Sequence, residues 1–101
     1  MSMIVVMKMS GDTAAFKNSF SARSDEYRQW RDRAQAAGGL RHRYAVGDGF
    51  GFLIDEWESL EAFQQFFAGA EVQAFIASIG IDTSVAPVLI AGEPVDSPDR
   101  Y

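Results

Sequence analysis

The strand-like segments of this chain are apolar at both odd and even positions. In Met3 to Met9, Ile4 and Val6 alternate with Val5 and Met7. In Phe50 to Trp57, Phe52 and Ile54 stand against Leu53 and Trp57, and in Val85 to Ala91, Val88 and Ile90 stand against Val85 and Leu89. Successive side chains of a strand point to opposite faces of its sheet, so a sheet made from these segments needs apolar cover on both sides. Any fold proposed for the chain has to supply two covers.

The remaining segments supply one. Asp12 stands where a helix N-cap belongs, and Phe16, Phe20, Tyr27, Trp30, Ala34 and Ala37 follow at steps of three, four and seven, one face of a helix ending at Gly38-Gly39. That face lapses at Arg23 and Ser24, where a break or a fresh cap at Ser24 fits. Leu40, His42, Tyr44 and Val46 alternate with Arg41, Arg43 and Ala45 as a strand. Gly47-Asp48-Gly49 then reads as a tight turn with positive φ values at Asp-Gly, returning Phe50 to Trp57 antiparallel. Ser59 caps a helix with the stripe Leu60, Phe63, Phe66 and Phe67. Val72, Phe75, Ile76 and Ile79 mark a second short helix stopped by Gly80, and Val85 to Ala91 is a last strand whose Pro87 suits an edge or a bulge.

Strand, helix, strand, strand, helix pair, strand is the ferredoxin-like β-α-β-β-α(α)-β order of an α+β domain with an antiparallel four-stranded sheet. Its helices fold onto one face only. The economical cover for the other is the same face of a second copy, so the sequence predicts a homodimer in which two sheets close into a barrel. Residues 1–92 form the predicted domain and residues 93–101, with two prolines and three acids, a C-terminal tail.

Composition narrows the function classes. The net charge of -5 argues against a nucleic-acid partner, and the absence of cysteine removes disulfides, thiolate metal sites and cysteine nucleophiles. The apolar run Ile4 to Met7 meets Lys8 at once, far short of a bilayer span, so the chain is expected to be soluble and cytoplasmic with no membrane partner. Charge is uneven: residues 1–44 carry +4 and residues 45–101 carry -9. Arg23, Arg28, Arg31, Arg33, Arg41 and Arg43 interleave with Asp25, Glu26 and Asp32, which reads as a solvated face with local ion pairs in preference to an anion-binding patch.

His42 is the single histidine and the first place to seek a general base, although a lone histidine on an apolar strand face is more often a hydrogen-bonded core or interface group. It cannot anchor a metal alone, and no metal site is expected. Asp55 and Glu56 are neighbours on a strand and point to opposite faces, which defeats a paired-carboxylate site. Gly47 to Phe52 mimics a dinucleotide fingerprint but opens a strand instead of a helix, and no nucleophile elbow or phosphate-binding lysine motif occurs. Thirteen aromatic residues are enough to build the core and also to line a pocket between sheet and helices.

The stretch Asp55-Glu56-Trp57-Glu58-Ser59-Leu60-Glu61-Ala62-Phe63, with the short helix Phe75 to Gly80 before the last strand, resembles the dimeric α+β barrel superfamily and in particular its antibiotic biosynthesis monooxygenase-like branch. The resemblance covers about residues 3–92. It implies a fold more than an activity, since the superfamily contains oxygenases, haem-degrading enzymes, isomerases and proteins without a known reaction. Haem-degrading relatives pair the tryptophan with a histidine on the next helix and an asparagine on the first strand. This chain has Phe66 and Phe67 in the one region and no asparagine in the other, so no haem or other cofactor is expected. Cofactor-independent oxygenases of the branch hold a deprotonated aromatic substrate with Asn, Trp and Tyr side chains, and Trp57 matches by position. The resulting candidates are Trp57 as wall or donor, His42 as base and Tyr44 as orienting hydroxyl, with Tyr27, Phe52, Phe63 and Phe67 contacting the ligand. The leading expectation is a homodimer that binds a small apolar or aromatic molecule in a cleft between sheet and helices. The alternative is a cofactor-independent monooxygenase acting on an aromatic or polyketide-like substrate, and the residues leave open whether the chain is an enzyme.

Overall fold

Backbone pairing joins β1 (Met3–Ser10), β2 (Gly39–Val46), β3 (Phe50–Trp57) and β4 (Val88–Gly92) into one antiparallel sheet in the order β2-β3-β1-β4. The computed structural model describes all 101 residues. Between the strands run α1 (Thr13–Ala22), α2 (Ser24–Ala36), α3 (Leu60–Phe67) and α4 (Ala70–Ser78). This is the ferredoxin-like α+β arrangement that the order of apolar patterns predicts.

Local chemistry accounts for most of the boundaries. Asp12 caps α1 by accepting the Ala15 amide at 3.1 Å, and Ser59 caps α3 by accepting the Ala62 amide at 3.0 Å. The long helical segment does break, but Ser24 is not a cap: it is the first residue of α2, and Arg23 leaves helical geometry at φ -127° and ψ 36°. The Arg23 side chain holds that corner, donating to both Glu26 carboxylate oxygens and to the Ser78 carbonyl and hydroxyl, with its guanidinium 4.7 Å from the centre of the Phe75 ring. The break is thereby tied to the end of α4.

Two other details differ from the sequence expectation. The last strand starts at Val88 instead of Val85, so Pro87 stands before it. Its pairing with β1, from Lys8 opposite Val88 to Ile4 opposite Gly92, makes it an edge strand. In the hairpin only Gly49 takes a positive φ, +80°, while Asp48 stays negative, and the turn closes through the Gly47 amide donating to the Phe50 carbonyl at 2.9 Å. Beyond Gly92, residues 93–101 form no helix or strand and are exposed.

The sheet has two unlike faces. Val5, Met7, Met9, Leu53 and Trp57 are buried against the helices with Phe16, Phe63 and Ile79. The opposite face carries Ile4 at 39%, Ile54 at 42%, Val88 at 56% and Ile90 at 66% exposure, with Val6 and Phe52 half-buried beside them. No helix or strand covers this side; Pro94 to Asp96 and Arg100 of the C-terminal segment reach its Ile4–Glu56 end.

On the covered face α1 sits close to the sheet because Gly51 has no side chain. A Cβ there would stand 2.6 Å from the Phe16 ring, itself 1% exposed and edge-on to Phe20 and Tyr44. Forcing extra volume into a packed contact of this kind costs about 1–3 kcal/mol. Gly51→Ala should therefore lower the unfolding free energy by that amount, read as a lower urea midpoint with the m-value unchanged.

Candidate functional site

Helix α2 is charged along most of its length, with Tyr27, Trp30 and Ala34 as a narrow apolar stripe, and none of its residues is buried. The stripe does not close onto the sheet. Between it and β2, the end of β3, α3 and α4 lies a cavity of about 480 Å³, within the range of small-molecule sites. Aromatic rings prop it open through edge contacts: Tyr27 meets Phe75 at 5.1 Å between ring centres and Trp30 meets Phe66 at 6.0 Å. Rings packed edge to face keep their shape without filling the space between them.

The cavity wall on the sheet side is organised by Asp55. Counting outward from the Asp48-Gly49 turn places His42 opposite Asp55 and Tyr44 opposite Leu53. Asp55 is 4% exposed, and each of its oxygens is served: Oδ1 accepts from His42 Nδ1 at 2.5 Å and Oδ2 from Trp57 Nε1 at 2.9 Å. A carboxylate only accepts, so an imidazole proton sits on Nδ1, and it is in the neutral ring that Nε2 carries the lone pair. Glu56, on the other face, accepts from the Ser2 hydroxyl instead, so the two adjacent acids are separated as the strand period requires.

The hydroxyls around the cavity differ in availability. Tyr27 donates to Ser19 Oγ at 2.7 Å, since the Ser19 proton is already given to the Phe16 carbonyl at 2.6 Å. Its ring faces the cavity while its oxygen is engaged, and burial pushes its pKa above the ordinary tyrosine value. Tyr44 packs edge-on to His42 with 4.4 Å between ring centres and makes no hydrogen bond within the chain, yet its oxygen is not sealed from the cavity. Burial raises its pKa strongly, with smaller contributions from Tyr27 and Asp55 in the same direction, so it is a neutral donor throughout the physiological range.

The structure brings together His42, Tyr44, Trp57, Tyr27 and Phe67 around this one cavity. Two expected ligand contacts lie elsewhere. Phe52 shares the parity of Ile54 and Glu56 and stacks on Phe50, two residues earlier in β3, on the face away from the helices. Phe63 is 2% exposed and fills the core behind Trp57, with 5.7 Å between the two ring centres. Trp57 itself is a wall and not a donor, because its indole proton is committed to Asp55. Sequence reasoning missed Asp55, Trp30 and Phe66, and it missed that Arg28 and Arg31 reach the cavity mouth. The hairpin register would have found Asp55; the others depend on how α2 is set over the sheet. No group of three His, Asp or Glu side chains converges as a metal site would require, and no helix is long and apolar enough to cross a membrane.

No protein-family profile matches the chain, and no curated protein matches its sequence. Solved structures do match its shape over nearly the whole length. A monooxygenase from the gene ActVA-Orf6 of Streptomyces coelicolor, in complex with the ligand nanaomycin D, superposes with a TM-score of 0.68 at 16% identity, covering 99% of this chain and 93% of that one. SnoaB, a cofactor-independent oxygenase from Streptomyces nogalater, gives 0.59 at 14% identity and 98% of each chain. A dimeric ferredoxin-like protein from an uncultured marine organism gives 0.61 at 17% identity, covering 99% and 93%. The chain thus has the ferredoxin-like α+β fold seen in antibiotic biosynthesis monooxygenase structures.

Proposed function

We propose that the chain is a homodimer whose subunits each hold one small apolar or aromatic molecule in the cleft under α2. The observation that carries the reading is the cavity of about 480 Å³ with aromatic walls and two uncommitted polar groups, the Tyr44 hydroxyl and His42 Nε2. Apolar lining with a few polar groups that orient the guest is the usual composition of a ligand site. One structural relative was solved with nanaomycin D, which accords with this use of the fold. For the dimer, the support is the open sheet face: Ile4, Ile54, Val88 and Ile90 form an apolar surface of the kind that marks an interface, and a structural relative is described as dimeric.

A second reading draws on the Asp55–His42 pair. With its tautomer set by Asp55, His42 Nε2 can take a proton from an activated aromatic or polyketide-like substrate, whose anion then reacts with dioxygen without a cofactor. In this reading Tyr44, edge-on to His42, donates to the substrate oxygen as negative charge develops there. Binding alone does not need this pair, so the first reading stands ahead of the second.

Three outcomes are expected. Native mass spectrometry or quenching of Trp30 and Trp57, which both line the cavity, should show one polycyclic aromatic molecule bound per chain, lost when Val72→Trp fills the space in a still-folded protein; absence of binding to the unaltered protein would defeat the ligand reading. Oxygen uptake with anthrone-like substrates, if the second reading holds, should fall by about 100-fold or more in His42→Ala and Asp55→Asn, the scale of a lost general base. Light scattering at micromolar concentration should return about twice the chain mass, and Ile54→Lys on the open face should return a monomer; a monomeric unaltered protein would refute the dimer.

A further inference from the structure

The charge at the cavity runs opposite to the charge of the chain. The protein carries a net -5, yet the charged side chains lining the cavity, His42 apart, are Arg28, Arg31 and Arg41 against the single carboxylate of Asp55. Asp55 is spent, with both oxygens bonded inward to His42 and Trp57. Arg28 and Arg31 stand one turn apart on α2 and flank the mouth while Tyr27, Trp30 and Phe75 form the interior; the Arg41 guanidinium is not with them, since Arg41 lies opposite Glu56 in the sheet and pairs with it on the other face. Two guanidinium groups at the rim of an apolar cleft raise the local concentration of anions there.

The two arginines at the mouth are held only by weak partners. Arg28 pairs with Asp25 at 2.9 Å and Arg31 with Asp32 at 3.0 Å, all four side chains more than half exposed. Ion pairs as exposed as these are screened by solvent and bind their partners loosely. A guanidinium can leave such a partner for a ligand carboxylate, to which its planar fork offers two parallel hydrogen bonds.

We propose that the molecule held under α2 is an aromatic carboxylate, its ring system among Tyr27, Trp30 and Phe75 and its carboxylate at the mouth beside Arg28 and Arg31. The proposal rests on the reading of the cleft as a small-molecule site and adds the chemical class of the guest. It also gives a role to the arginine-rich stretch that the sequence reads as no more than a solvated face. A neutral aromatic of the same size would meet the same rings but leave the arginines with their surface partners.

The test compares 2-naphthoate with the neutral 2-naphthamide by quenching of Trp30 and Trp57 in the full-length protein. The acid should bind about tenfold or more tightly than the amide at 50 mM salt, and the advantage should shrink at 500 mM. It should also shrink in Arg28→Gln/Arg31→Gln, through loss of acid affinity, while Lys17→Gln on α1, away from the cavity, retains it. Equal affinity for acid and amide would overturn the carboxylate assignment and leave the ligand site standing. An acid preference that survives Arg28→Gln/Arg31→Gln would overturn the role given to the arginines. Binding of neither probe would remove both this proposal and the site beneath it.

Discussion

A carboxylate buried to 4% exposure has to be compensated, and in this protein the compensation of Asp55 organises everything around the cavity. His42 reaches it from β2 and Trp57 from two residues further along β3. The first bond fixes the imidazole tautomer and fastens the edge strand β2 at the cavity wall. The second orients the indole, whose ring lies 5.4 Å from Phe66 and 6.3 Å from Phe67 between ring centres, so that α3 is positioned through it. Removing one partner of a buried pair costs about 3–5 kcal/mol in general. The cost on the His42 side is smaller, since that side chain is 47% exposed and water can replace it. The Trp57 bond is the one that water cannot easily replace.

Strand parity divides the work of the sheet. Odd positions of β3 carry Leu53, Asp55 and Trp57 towards the helices and the cavity, and even positions carry Phe52, Ile54 and Glu56 to the uncovered side. A single residue slip would exchange the two sets and destroy both surfaces at once. The Gly49 turn and the Gly51–Phe16 contact hold the register against that exchange. Likeness to oxygenase structures at 16% identity or less speaks for this architecture and not for a reaction, so the functional argument has to come from the groups on the cavity face.

The elements were legible because their signals are local: a period of two in Leu40 to Val46, caps at Asp12 and Ser59, and glycines at the ends. The homodimeric reading came from the same source, since both parities of three strands are apolar. The site was legible only in part. His42, Tyr44 and Trp57 could be named, but Asp55 was judged against its neighbour Glu56 and not against its cross-strand partner, which the hairpin count supplies. The same parity that puts Trp57 at the cavity excludes Phe52, so that error was avoidable. Phe63 was not avoidable in this way: whether a phenylalanine of α3 faces the core or the cleft depends on the rotation of the helix about its axis, and its stripe is apolar in either case. Arg28 and Arg31 look solvated in sequence because their acidic partners are three residues or one residue away.

One further consequence follows from the absence of any buried residue in α2. Native-state opening proceeds through the parts of a protein with the least buried contact, at free energies below that of global unfolding. In this fold the edge strands β2 and β4 and the helix α2 all lack buried residues, and α2 is also the roof of the cavity. Its amides should exchange with solvent through a local detachment that leaves β1 and β3 paired and opens the cavity. Under the proposed function, a guest would add apolar contact to Tyr27 and Trp30 beyond what Phe66 and Phe75 give them, coupling occupancy to the order of the thirteen residues of α2.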